Sequence, residues 1–134
     1  LLQPGRYTLN VSALDDEENG AFTLDVHRSN APATMVEQDG TTLPASGSVF
    51  TTLDDEGRRR FLLRLDAPVQ VQLDALSSQV DTVLHLVGGD IDIEDDDGGN
   101  GTDARLQETL PAGHYTVEVS SVEGDSGLVE LRIQ

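Results

Sequence analysis

Apolar residues alternate with polar ones along most of this chain, and a period of two confines it to β-strands. Tyr7, Leu9 and Val11 share one face, as do Phe22, Leu24 and Val26, and then Val69, Val71 and Leu73. Further strands are expected at residues 49–53, 60–65, 82–87, 114–120 and 128–133, divided by clusters of Gly, Asp, Asn and Pro that make turns. No segment sustains a helical period. Strands recurring at roughly ten-residue spacing between polar turns predict an all-β, antiparallel sandwich rather than a βαβ fold.

The chain has 134 residues, enough for one domain with a real core. It contains no Cys, so neither disulfides nor thiolate metal sites hold it together. Trp is absent and aromatics are 4% of the residues, which disfavours sugar stacking. The formal net charge of −17 repels phosphate backbones and anionic lipid, so nucleic acid and membrane are not expected partners. No apolar run approaches the roughly 18 residues of a membrane span, and no signal-peptide pattern is present. The chain begins at Leu1, and it reads as a mature or excised piece of something longer.

Residues 28–47 are rich in Ser, Thr, Ala, Pro and Gly without alternation, which predicts a linker over residues 29–47. It separates residues 1–28 from a main domain over residues 48–134. The two parts are related: residues 2–12 (LQPGRYTLNVS) align with residues 110–120 (LPAGHYTVEVS), six of eleven positions being identical. Acidic turns follow in both copies, and then GAFTLDV matches GLVELRI in pattern. Each copy is expected to be a β-hairpin, residues 1–28 resembling the tail of a preceding repeat. A lone hairpin is marginal in water and needs partner strands from elsewhere.

Chemistry of the enzymatic kind is not expected. His27, His85 and His114 fall on separate strands, and no Gly-x-Ser-x-Gly, His-Glu-x-x-His or Cys nucleophile occurs. Tyr7 and Tyr115 hold equivalent places after Gly5 and Gly113 and are expected in the core. The run Arg58-Arg59-Arg60 follows an acidic turn and is expected to pair with it or with an acidic neighbour.

Residues 90–103 (DIDIEDDDGGNGTD) pack seven carboxylates into fourteen residues and end in a Gly-rich turn, a composition that suits a hard, oxygen-seeking cation such as calcium. Counted from Asp92, the side chains of Asp92, Glu94, Asp96, Asn100 and Asp103 fall at EF-hand ligand positions. Asp97 then stands where that loop needs Gly, and the flanks read as strands, so a looser gathering of Asp81, Asp95, Asp96 and Asp103 is the simpler arrangement. The candidate metal ligands are therefore Asp81, Asp92, Glu94, Asp95, Asp96 and Asp103. A solvated acidic loop of Asx turns would carry the same sequence.

Taken in order, Asp81-Thr-Val-Leu-His-Leu, Glu94-Asp-Asp-Asp-Gly-Gly, Asp103-Ala-Arg-Leu, the Leu110–Val119 stretch and Gly127 before the last strand resemble the bacterial pre-peptidase C-terminal domain family. His85 replaces a frequent Tyr, and Ala104 a frequent Ser. The resemblance implies a jelly-roll-like β-sandwich similar to the collagen-binding domains of bacterial collagenases, some of whose relatives bind calcium. It implies a non-catalytic, secreted or cell-surface accessory domain that binds an extracellular protein or polysaccharide polymer or stabilises its parent protein. The repeat supports a second expectation: a structural or adhesive subunit whose copies form fibres by sharing strands through the N-terminal hairpin.

Overall fold

The computed structural model describes residues 34–134, with Thr8 as an isolated exposed position. The expected hairpin over residues 1–28, with Tyr7 and His27, lies outside the described residues. The unit Ala33–Gln134 is all-β, as the alternation predicts, with no helix among the described residues.

Among the described residues, ten strands form two five-stranded sheets. They are β1 (Thr34–Met35), β2 (Thr41–Thr42), β3 (Gly47–Thr52), β4 (Arg58–Leu65), β5 (Val69–Leu76), β6 (Thr82–Gly88), β7 (Ile91–Asp95), β8 (Ala104–Leu110), β9 (Gly113–Ser121) and β10 (Leu128–Ile133). One sheet has the order β1-β3-β10-β5-β8 and the other β2-β4-β9-β6-β7. The two short edge strands run parallel to their neighbours, and all other pairs are antiparallel.

The pleat sends alternate side chains inward from both sheets. Phe61 and Leu63, Leu84 and Leu86, and Val117 and Val119 from one sheet meet Leu73, Val129 and Leu131 from the other, each at most 2% exposed. Burying a side chain of this size contributes about 1.5–3 kcal/mol, so this interface is the main source of stability. Tyr115 joins it at 4% exposure, as expected, and its hydroxyl donates to the Pro111 carbonyl at 2.7 Å. A buried phenol requires such a partner.

Two expectations are corrected. The linker over residues 29–47 is, from residue 34 on, part of the sandwich. Val36 N–H donates to the Phe50 carbonyl (2.8 Å), Leu43 N–H donates to the Leu62 carbonyl (2.7 Å), and Leu43 is buried. Two-residue strands are too short for alternation to reveal them. The C-terminal repeat, residues 110–133, is not a hairpin either. β9 lies between β4 and β6 in one sheet, and β10 lies between β3 and β5 in the other. Alternation fixes which face of a strand is buried, but a turn that crosses between sheets satisfies it as well as one that folds back.

Chain crossing is the rule here. Among the described residues, only β6 and β7 are consecutive strands paired with each other. As a result the loops 53–57, 77–81, 96–103 and 122–127 gather at one end of the sandwich and hydrogen-bond to one another. Ser121 N–H reaches the Gly57 carbonyl (2.8 Å), Val122 N–H the Asp81 carbonyl (3.0 Å), and Leu53 N–H the Gly127 carbonyl (2.9 Å).

Candidate functional site

The six candidate metal ligands are distributed over this loop end and the sheet beside it. In β7 the pleat turns Ile91, Ile93 and Asp95 inward and Asp92 and Glu94 outward, because a strand reverses side-chain direction at every residue. Asp92 lies 2.8 Å from His85 Nε2 across the β6–β7 pair, and Glu94 is the register partner of His85. Asp95 Oδ1 accepts the N–H groups of Gly98 (2.7 Å) and Arg105 (2.8 Å), closing the acidic loop onto β8. Asp96 is exposed. Asp103 Oδ1 accepts the Ser77 N–H at 3.0 Å, tying the 96–103 loop to the 77–81 loop.

The spacing that suggested one calcium loop therefore produces a strand, an Asx turn and a loop tie. Among the described residues, no group of three or more His, Asp or Glu is disposed to hold a metal ion. One candidate stands apart. Asp81 Oδ1 is buried without a hydrogen-bond partner, and such an atom costs about 1–3 kcal/mol if nothing satisfies it. It borders an open cleft of about 310 Å³ lined by Ser77, Ser78, Gln79, Val80, Asp81 and Thr102. Every lining residue except Val80 carries side-chain oxygen, the donor type a hard cation requires.

The outer face of the β2-β4-β9-β6-β7 sheet has a different character. The register sets Leu62, Thr116 and Val87 side by side on β4, β9 and β6, and Leu62 and Val87 are 45% and 39% exposed. Two strand spacings separate them, about 9–10 Å. One row to one side holds Arg60, Glu118 and His85, and to the other Arg64 stands opposite His114. Arg58, Arg60 and Arg64 point outward from β4 onto this face, where they alternate with the carboxylates of Glu118, Asp92 and Glu94 on β9 and β7. Arg60 Nε lies 2.5 Å from Glu118, whose hydrogen bond and charge raise the guanidinium pKa above its ordinary value. Arg58 pairs with Glu56 in the preceding turn, as the sequence predicts.

The site that sequence reasoning missed is this apolar row. Its signal was present in Phe61-Leu62-Leu63 and Leu86-Val87, where an apolar residue occupies a place at which alternation calls for a polar one.

The arrangement defines a class first: a double-sheet sandwich whose loops crowd one end and one of whose outer sheet faces carries no further layer among the described residues. Comparison with solved structures is more specific. The pre-peptidase C-terminal domain of collagenase from Bacillus anthracis aligns with 79% of this chain over 100% of its own length, at 12% identity and a TM-score of 0.60. PliG from Aeromonas hydrophila, a periplasmic lysozyme inhibitor of g-type lysozyme, aligns with 77% of this chain over 100% of its own, at 14% identity and a TM-score of 0.51. No protein-family model and no curated protein matches the sequence. The pre-peptidase C-terminal resemblance read from the sequence thus holds for the fold.

Proposed function

We propose that this chain is a non-catalytic extracellular accessory domain that binds an insoluble protein or polysaccharide polymer through the outer face of the β2-β4-β9-β6-β7 sheet. The observation that carries the reading is the row Leu62, Thr116 and Val87, with Leu62 and Val87 exposed, at the centre of a sheet in a fold shared with the pre-peptidase C-terminal domain of a collagenase. A repeating polymer offers an extended surface, and an open sheet face flanked by Arg60, Arg64, His85 and His114 has matching shape and hydrogen-bonding groups. A secreted location follows from the same reading.

Calcium enters at one place. Asp81 and Thr102, with Ser78 and Gln79, would hold it at the cleft of the loop end, where the ion would satisfy Asp81 Oδ1 and offset the repulsion among Asp55, Glu56, Asp96, Asp97, Glu123 and Asp125 in the neighbouring loops. Strand sharing into fibres draws no support from β9 and β10, which are central strands of opposite sheets and not a unit that could add to one edge.

The test is co-sedimentation of the protein with collagen fibres, cellulose, chitin and peptidoglycan, in calcium and in chelator. Saturable binding to one of these supports the reading, and no binding to any overturns it. Scanning calorimetry decides the calcium component separately: the melting temperature rises with calcium, or that component is withdrawn.

A further inference from the structure

Three Asx–Gly steps lie among the described residues: Asp39–Gly40, Asp97–Gly98 and Asn100–Gly101. In such a step the glycine amide nitrogen can attack the side-chain carbonyl carbon and close a five-membered succinimide. An Asn expels ammonia, whereas an Asp must expel water. Water then opens the ring at either carbonyl, leaving Asp, or isoaspartate with the backbone rerouted through the β-carbon. Net, Asn and one water give an acid and one ammonia. Glycine permits the attack because it has no side chain to obstruct it, but its N–H must be free and the backbone able to turn.

The fold treats the three steps differently. Gly40 N–H is engaged by the Arg60 carbonyl at 3.0 Å, while Asp39 Oδ1 accepts the Arg60 N–H at 3.1 Å. Gly98 N–H is engaged by Asp95 Oδ1 at 2.7 Å, and the Arg105 carbonyl and Asp95 carboxylate crowd that glycine. Gly101 has neither restraint. Its N–H has no acceptor among the described residues, no atom lies within 4 Å of where a Cβ would be, and its φ is +65°. Asn100 and Gly101 are both exposed at the tip of the 96–103 loop, and the Asn100 side-chain amide has no hydrogen bond among the described residues. Loop tips of this kind are where backbone rearrangement meets least resistance.

We propose that Asn100 is a self-modifying site: its amide is lost in the folded protein, giving Asp and isoaspartate in the acidic loop. The change adds a negative charge beside Asp95, Asp96 and Asp97. In the isoaspartate form it also removes the Asn100 main-chain carbonyl from the place where it accepts the Asp103 N–H at 3.2 Å, opening the turn that Gly99 N–H closes on the Asp103 carbonyl at 2.8 Å. Asp103 carries the tie to Ser77, so modification loosens the 96–103 loop from the 77–81 loop.

Folded protein and urea-unfolded protein incubated side by side in mildly alkaline buffer test this, with peptide mapping by mass spectrometry and a separation that resolves isoaspartate. The expected result is loss of the Asn100 amide at similar rates in both samples; in a second pair held at mildly acidic pH, where a protonated Asp carboxyl can expel water, isomerisation is expected at Asp39 and Asp97 only in the unfolded one. Mapping keeps Asn19–Gly20, outside the described residues, distinct. Asn100→Gln, shown by its melting temperature to be folded, should remain unmodified at that position. Survival of the Asn100 amide in the folded protein while the unfolded protein loses it would overturn the proposal.

Discussion

Thr82 and Ala104 are joined across the two sheets. The Thr82 hydroxyl, on β6, accepts the Ala104 N–H at 2.9 Å and donates to the Ala75 carbonyl at 2.9 Å, standing between the ends of β8 and β5 in the opposite sheet. Thr82 and Ala104 are both 0% exposed, so water cannot replace either bond. Thr82→Val keeps the shape and strands both backbone groups, and the expected cost is about 1–3 kcal/mol. Thr82→Ser, which retains the hydroxyl, should lose much less. Urea denaturation of the two variants measures the difference.

Gly57 closes the turn between β3 and β4 with φ +69°, and a Cβ there would lie 2.4 Å from the Gly124 carbonyl carbon. The obstructing atoms are all Gly124 backbone, which cannot swing aside. Gly57→Ala should therefore destabilise by about 2 kcal/mol or more. Gly101→Ala has a similar φ with open space around it and should cost only about 1 kcal/mol. Thermal melts of both variants check the ranking.

Glu130 is held below the usual carboxylate range, first by the Arg132 side chain, whose Nε is 2.8 Å away, and then by Ser48, against the opposing effect of burial. A depressed pKa means that the stabilisation is present above the unfolded-state value and is lost as pH falls through the folded-state value. Glu130→Gln should be less stable at neutral pH by about 0.5–1 kcal/mol, since the pair is partly exposed. The two proteins should converge in acid. Denaturant midpoints across pH reveal whether they do.

How much of this was legible follows from what alternation can encode. β3 to β6, β9 and β10 were visible because each repeats a buried and an exposed position several times. β7 was not, because Asp92, Glu94 and Asp95 made a strand look like part of a loop, although Ile91 and Ile93 kept the period. β1 and β2 have two residues each, below the length at which a period exists. Proximity in sequence puts Asp92, Glu94, Asp95 and Asp96 together, yet the pleat turns Asp92 and Glu94 away from Asp95. Asp74 shows the converse: on the solvent side of β5 it is 3% exposed, because Arg105 Nε (2.5 Å) and Gln72 Nε2 (2.9 Å) close over it. Nothing in its sequence neighbourhood announces this.

Tyr115 was legible as a core residue, but its bond to Pro111 was not. Tyr115→Phe removes that bond alone and should cost about 0.5–1.5 kcal/mol, with the fold otherwise intact. Calorimetry of this variant gives the value directly.

The most direct test of the proposed binding role uses the Leu62→Asp/Val87→Asp double variant, with Val122→Asp as a control at an exposed residue of the loop end. Affinity for the polymer that retains the wild-type protein is measured by co-sedimentation. The account predicts a loss of about tenfold or more for the double variant, a change of roughly 1.4 kcal/mol per decade, and wild-type affinity for the control. Equal binding by the double variant and the wild type would contradict it.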